Sequence, residues 1–257
     1  MLICPICKKN LEKIGSTYKC QNNHSFDISK NGYTNLLINH PNGGDNKEMV
    51  NARLTFLNNG YYLPLKERIK EIAKSNNTTI TCDLGCGTGY YSNDLDGLIY
   101  GFDISKEAII KASKNQKGQY FVSSSALVPL SNKSVDMALI VFAPSFEDEI
   151  VRILKNDGIL VLVTPAKKHL IELKESLYDN PYLNDEKEPS FSKLELISKE
   201  ELTYQKNITK EDILNLIKMT PYFYKTDPSS FNKITTNKTI TISFNISIYQ
   251  KNPRWKI

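Results

Sequence analysis

The chain has 257 residues, 40% of them hydrophobic and 24% charged, enough to bury a core and too few for several full-sized domains. This composition excludes a disordered chain, and the longest apolar run, Met137 to Ala143, falls far short of the roughly 20 residues of a membrane-spanning helix. The net charge of +5 is uneven: residues 1–79 hold 11 Lys/Arg against 6 Asp/Glu, residues 80–159 hold 7 against 10, and residues 160–257 hold 15 against 12. A basic amino-terminal third suits a polyanionic partner, although solvated lysine faces give similar counts. The first residues carry no basic leader followed by an apolar stretch, so a cytoplasmic protein is expected.

Cys4, Cys7, Cys20 and His24 follow the spacing C-x2-C-x12-C-x3-H, which suits a closed tetrahedral Zn2+ site. Pro5 fixes the tight turn of the first pair, and a hairpin through Leu11 to Tyr18 separates it from the second. Four ligands leave no open position, so the metal is expected to be structural. A segment this short has little other means of building a core. Lys8, Lys9, Lys13, Lys19 and Lys30 are interleaved with Tyr18, Phe26 and Tyr33, a mix that suits phosphate contact and base stacking unless the rings form the module's own small core. Residues 1–37 are thus expected to form a zinc-binding module, 38–50 a linker and helix start, and 51–257 the main domain. Asn39 to Asn46 reads as a mobile polar breaker, so a chain without residues 1–37 is expected to keep a folded core.

Asp45 with Glu48 three residues on resembles a capping box, and Met49, Ala52 and Phe56 continue at helical spacing until Gly60. A second helix carries Leu65, Ile69, Ile72 and Ala73 on one face. Strand Thr79 to Leu84 then runs into Gly85-Cys86-Gly87-Thr88-Gly89 and a helix expected from near Tyr90. Strand Leu98 to Phe102 ends at Asp103 and is followed by a helix capped by Ser105. Further strands read from Tyr120 to Ser123, Val135 to Phe142 and Ile159 to Thr164, with a helix at Glu147 to Leu154. This alternation predicts an α/β fold with a doubly wound, mostly parallel sheet, its ligand lying at the carboxyl ends of the strands. Asp83, the three glycines and Asp103 follow D-x-G-x-G-x-G, the pattern of S-adenosylmethionine (SAM)-dependent methyltransferases with their Rossmann-like fold. The third glycine comes two residues after the second, where a dinucleotide fingerprint has three. Gly85, Gly87 and Gly89 would let the backbone approach SAM, and the Asp103 carboxylate would accept both ribose hydroxyls. Cys82 and Cys86 read as small buried residues, and Asp136, at the start of its strand, as structural.

The chain resembles the RlmA-type 23S rRNA (guanine-N1)-methyltransferases nearly end to end. The resemblance rests on Cys4-Pro5-x-Cys7 with Cys20 and His24, on Phe26-Asp27, Lys30, Gly32-Tyr33 and Asn35-Leu36-Leu37, and on Ala52-Arg53, Phe56-Leu57 and Gly60. It continues through Tyr62-x-Pro64-Leu65, the glycine loop, Gly101-x-Asp103-x-Ser105-Lys106, Ala143-Pro144, Thr164-Pro165, His169-Leu170-x-Glu172-Leu173-Lys174 and Met219-Thr220-Pro221. It implies methyl transfer from SAM to N1 of a guanine in a hairpin loop of 23S rRNA, close to the peptide exit tunnel. It also implies a homodimer and, in some members, resistance to macrolides. By the same resemblance Tyr62, Gly87, Thr88 and His169 contribute to the cofactor pocket. Two positions depart from related patterns. Ser125-Ala126 stands where many SAM enzymes place an Asp against the adenine amino group, which leaves Ser125 a weaker, water-mediated or backbone contact, and Thr88 stands where some members carry Glu.

Phe142-Ala143-Pro144-Ser145-Phe146 holds neither the Asn/Asp-Pro-Pro-aromatic clamp of exocyclic amine methylation nor the cysteine of base-carbon methylation, so ring-nitrogen methylation fits by elimination. No side chain declares itself as the acceptor of the N1 proton. His169, beside Lys167 and Lys168, suits cofactor, RNA or a basic surface turn. Tyr178 to Ser192 reads as a loop or lid and Thr209 to Met219 as an amphipathic helix. Lys238 to Tyr249 reads as a half-buried strand added antiparallel at the sheet edge, with Ile240, Ile242, Phe244, Ile246 and Ile248 on one face. Tyr222, Phe223 and Tyr224 suit a base pocket and core packing alike. Two other readings remain. One is a SAM enzyme acting on a small molecule or another RNA, with the zinc module as lid. The other is a non-catalytic RNA-binding protein, which the intact glycine loop and Asp103 disfavour.

Overall fold

The computed structural model describes residues 1–38, 43–114, 117–186, 189–220, 223 and 227–253. Asn39, His40, Pro41 and Asn42 of the expected linker, and Tyr222 and Tyr224 of the aromatic cluster, lie outside the described residues. A three-stranded antiparallel sheet is built from β1 (Leu11–Ile14), β2 (Thr17–Cys20) and β3 (Ser25–Asp27). The larger sheet comprises β4 (Thr34–Asn35), β5 (Ile80–Leu84), β6 (Leu98–Asp103), β7 (Gly118–Val122), β8 (Val135–Val141), β9 (Leu154–Pro165), β10 (Leu194–Ile208) and β11 (Lys238–Lys251). Its order is β10-β11-β9-β8-β5-β6-β7-β4, parallel from β9 through β4, with β11 antiparallel to both of its neighbours. The strand order reverses direction between β5 and β8, and that switch point is where a doubly wound sheet leaves a crevice.

Helices cover both faces. One core joins α1 (Lys47–Asn58), α2 (Leu63–Ser75), α5 (Ile171–Leu177) and α6 (Lys210–Lys218) to the sheet through Phe56, Leu65, Ile69, Leu173 and Leu216. The other face is packed by α4 (Glu147–Ile153) and by the zinc module, while α3 (Lys106–Ala112) closes a smaller cluster with Tyr33 and Tyr120. The cap of α1 is one residue later than the sequence predicts: Asn46, not Asp45, accepts from the Met49 backbone N–H. The helix expected near Tyr90 is a run of turns instead. Few residues separate Gly89 from β6, too few for a helix and its return.

The carboxyl-terminal third holds the largest differences. β11 is the second strand from the edge and not the edge itself, because β10, unpredicted, pairs along its whole length. Its Ile240, Ile242, Phe244 and Ile246 face the core as expected, yet Thr241, Ser243, Asn245 and Ser247 are buried too. Glu172 accepts from the Thr241 N–H and hydroxyl at 2.8 and 2.6 Å, and Glu186 accepts from Asn245 at 3.1 Å, so the polar face is satisfied under cover. The segment after α5 is pinned and not free. Asn184 donates to the Ala166 and His169 carbonyls and accepts from the buried Lys174 ammonium at 2.6 Å.

The module is docked onto the main sheet. β4 adds to the sheet edge beside β7, with Thr34 opposite Phe121, and the Leu36 N–H donates to the Val122 carbonyl. Leu2 bridges Leu130, Tyr18 packs 6.0 Å from Phe121, and Leu2, Leu11, Tyr18, Cys20 and Leu36 are buried in one core with Phe102 and Leu130. Tyr18 and Tyr33 are themselves buried, so these rings serve the core, while Lys8, Lys9, Lys13, Lys19 and Lys30 are exposed. Uncovering a large apolar side chain costs about 1.5–3 kcal/mol, so losing several such contacts consumes most of a margin of about 5–15 kcal/mol. A chain starting at residue 38 is therefore expected to lack cooperative unfolding in a thermal melt. A cooperative transition at the full-length midpoint would show that the main domain needs no module.

Candidate functional site

The zinc ligands converge from two similar knuckles. In the first, the Lys8 N–H donates to the Cys4 carbonyl at 2.9 Å, and in the second the Asn23 N–H donates to the Cys20 carbonyl at the same distance. Lys8 and Asn23 both adopt positive φ, which turns each chain back toward the centre. Cys4 Sγ lies 3.4 Å from His24 Nδ1, Cys20 Sγ 3.5 Å from the same nitrogen, and Cys7 Sγ 3.6 Å from Cys20 Sγ. All four ligand atoms lie within 4.8 Å of one another. A tetrahedron with Zn–S and Zn–N bonds of standard length has edges of roughly 3.3–3.8 Å, which the three closest separations match, so the donor set suits a tetrahedral ion. No position is left for substrate, and the metal would act through structure.

The second site lies at the switch point. Gly85, directly after β5, has φ +72°, and a Cβ there would fall 2.4 Å from the Ala143 Cβ, so only glycine lets the loop cross the end of β8. At Gly87, φ +53°, an added Cβ would meet nothing closer than Arg53 Cδ at 4.0 Å. Bare backbone there faces open space, a fit for a closely approaching ligand. Asp103, at the end of β6, accepts from the Gly87 N–H at 2.9 Å and from the Ser105 N–H at 2.7 Å. These bonds aim its carboxylate at the loop, while burial raises its pKa above the usual range. Asp83 lies beneath: it accepts from the Ser92 hydroxyl at 2.6 Å, and burial pushes its pKa up to about 7. Thr88 is buried with its hydroxyl unpartnered, and half-buried Ser125 follows Ser123, whose N–H donates to the Asp103 carbonyl. Cys82 and Cys86 are buried, and burial raises the pKa of both thiols. Asp136 is indeed structural, accepting from Thr79, Ile80 and Lys155 at the opposite end of the strands.

Beside the loop opens a cleft of about 630 Å³. Its walls include Met49, Tyr62, Phe142, Val163, His169 and Met219, with the Asp45–Arg53 ion pair at one end. His169 is buried and not a surface residue of the Lys167-Lys168 turn. The Ser243 N–H donates to its Nδ1 at 3.1 Å, which requires the neutral ring to carry its proton on Nε2, 3.3 Å from the Tyr62 hydroxyl. Burial, with the Lys174 ammonium nearby, pushes its pKa down to about 3. Phe142 adopts φ +55°, is 40% exposed, and stacks at 6.4 Å on the His169 ring. A strained, half-exposed phenylalanine at a strand end is the kind of feature that marks a binding wall. Sequence reasoning takes Phe142 only as part of a segment without an exocyclic-amine clamp, and it reads Asp45 only as a cap. One signal was present for Arg53: it lies in line with the apolar stripe Met49, Ala52 and Phe56 of α1.

Comparison with known proteins agrees with this geometry. Residues 2–40 match the family model described as "RlmA, N-terminal", and residues 75–218 match "Methyltransferase domain". The chain is 32% identical to "Putative 23S rRNA (guanine-N(1)-)-methyltransferase YxjB" of Bacillus subtilis, covering 96% of this chain and 95% of that one. It is 36% identical to the "23S rRNA (guanine(748)-N(1))-methyltransferase" of Streptomyces fradiae, covering 68% and 67%. In fold it is similar to the solved structure of "a Putative Type II Methyltransferase from Anaeromyxobacter dehalogenans", with a TM-score of 0.51 at 17% identity over 72% of this chain and 94% of that one. Sheet order, glycine loop and crevice thus define a SAM-dependent methyltransferase, here carrying a zinc ribbon. Within that class, the chain belongs to the RlmA-type 23S rRNA (guanine-N1)-methyltransferase family.

Two outcomes follow. Asp103→Ala is expected to weaken SAM binding by about 10- to 150-fold in calorimetric titration, the loss of a charge-assisted hydrogen bond, with a near-native melting curve. Unchanged affinity would remove Asp103 from the site. For His169 the folded pKa lies below the unfolded one, so its contribution to stability is full above about pH 6.5 and is lost as pH falls toward about 3. Its imidazole 15N signals should therefore stay at the neutral, Nε2–H tautomer from about pH 8 to about pH 5. A titration midpoint near neutrality would contradict the buried, acceptor-bound ring.

Proposed function

We propose that this chain transfers the methyl group of SAM to N1 of a guanine in a hairpin loop of 23S rRNA near the peptide exit tunnel. The observation that carries the reading is the mostly apolar cleft bounded by exposed Phe142, whose wall residues Ala143 and Arg53 are also the nearest neighbours of Gly85 and Gly87 in the glycine loop. SAM, when bound, supplies the electrophilic methyl group, and Asp103, Gly85, Gly87 and Gly89 are the residues that would hold its nucleoside end against the sheet. Tyr62 and His169 wall the cleft where the acceptor must enter. A base taken out of its stack loses a few kcal/mol, and stacking on an aromatic ring returns about 1–3 kcal/mol of it. Phe142 offers such a ring. The segment that follows it, Ala143-Pro144-Ser145, brings no amide, carboxylate or thiol to the reaction, which supports a ring nitrogen over an exocyclic amine or a carbon.

Lys8, Lys9, Lys13, Lys19 and Lys30 are all exposed on the zinc module and supply cations for phosphate contact. Residues 1–37 are accordingly proposed as the RNA-recognising part of the chain, built into the main sheet. The family resemblance supports a homodimer at work in the cytoplasm, and among the described residues no helix is long and apolar enough to cross a membrane.

N1-methylguanine cannot form a Watson–Crick pair, so primer extension on 23S rRNA gives a direct reading. Unmodified rRNA incubated with the chain and SAM should acquire a reverse-transcription stop at one guanine of a hairpin loop, and with Asp103→Ala the stop should weaken at SAM concentrations near the wild-type Kd and return as SAM is raised. Methyl transfer to small nucleophiles with no mark on rRNA would favour the small-molecule reading instead.

A further inference from the structure

An ion pair sits where the apolar cleft meets the glycine loop. Arg53 Nε donates to Asp45 Oδ2 at 2.9 Å, Nη2 lies 2.7 Å from the same oxygen as an ion-pair contact, and Nη2 donates to the Met219 carbonyl at 3.0 Å. Nη1 has no hydrogen-bond partner among the described residues, and Arg53 lines the cleft. Asp45 is fixed in turn, since its backbone carbonyl accepts from the Ser105 hydroxyl at 2.6 Å. Its neighbour Gly44 lies so close to Ile104 and Ser105 that an added Cβ would fall 3.2–3.4 Å from them. The pair is therefore anchored to the same turn that receives Asp103, and the Arg53 stem passes within 4.0 Å of the Cβ position of Gly87. Helix packing does not require a cation here, and holding one against apolar walls costs desolvation.

We propose that Arg53 grips the α-carboxylate of the amino-acid end of SAM through Nη1, with Asp45 facing the α-ammonium. The proposal rests on the cofactor reading of the cleft. An anchored cation beside an anchored carboxylate matches a zwitterion in sign and in net charge. It matches an RNA phosphate poorly, because Asp45 would repel it. Both partners are held before the ligand arrives, so little side-chain entropy is lost on binding.

The test compares two ligands on the full-length chain by calorimetry. S-adenosylhomocysteine carries the amino-acid end, and 5′-methylthioadenosine keeps nucleoside and sulfur without it. Arg53→Gln should lower S-adenosylhomocysteine affinity about 10- to 150-fold and leave methylthioadenosine affinity within about twofold, and Arg53→Lys should recover part of the loss. Retained methylthioadenosine binding also shows that the variant is folded. Equal losses for both ligands, in Arg53→Gln and Arg53→Lys alike, would show that Arg53 acts through packing and overturn the proposal, as would no loss for either. A wild-type chain that binds neither ligand would instead remove the cofactor reading, and the proposal with it.

Discussion

Asp103 stands at the head of a hydrogen-bond chain that shapes the crevice. Its carboxylate receives the Gly87 and Ser105 N–H groups, Ser105 holds the Asp45 carbonyl, Asp45 holds Arg53, and Arg53 reaches the Met219 carbonyl at the end of α6. Elements far apart in sequence are thereby tied into one polar rim around an apolar cleft. The links are mostly charge-assisted and partly screened from water, the setting in which such bonds are strongest. The Asp103 carboxylate thus orients the glycine loop and the turn after β6 toward the crevice, while the packing of α1 rests on its own buried residues Val50, Ala52, Phe56 and Leu57.

A second polar arrangement supports the opposite wall. The hydroxyl and amide face of β11 lies under the turn that carries His169, and three of its buried residues meet partners there: Thr241 with Glu172, the Ser243 N–H with His169, and Asn245 with Glu186. The orientation of the His169 ring, and hence its tautomer, is set by a backbone N–H on a neighbouring strand. The ring presents to the cleft as a neutral group whose character changes little over the pH range in which cells operate.

Much of this fold is legible in the sequence because its signals are local. The metal spacing, the apolar runs of β5, β8 and β9, and the glycine loop each announce themselves without reference to the rest of the chain. β10 does not, since an edge strand whose outward positions are Lys, Glu and Gln has the composition of a solvated loop, and only pairing with β11 makes it a strand. The docking of the module is hidden from the sequence for a related reason. Gly43-Gly44 and its polar neighbours look like a linker, but the contacts that dock the module are made by Leu2, Tyr18 and Leu36, whose partners lie beyond residue 118. The cleft was half visible. Asp103 could be placed by its distance from Asp83, whereas the roles of Asp45, Arg53 and Phe142 depend on where three separate elements meet.

The pairing of β4 with β7 bears on how the chain folds. During synthesis the zinc module emerges before the main sheet, and its metal site can close at once because all four ligands lie between Cys4 and His24. Its apolar side then has nothing to cover it until β6 and β7 have left the ribosome, and β7 cannot settle its edge without β4. Contacts of such long sequence separation form late and slowly. Metal capture would keep the early segment compact through that interval, limiting the exposure of unpaired strand and apolar surface that leads nascent chains to aggregate.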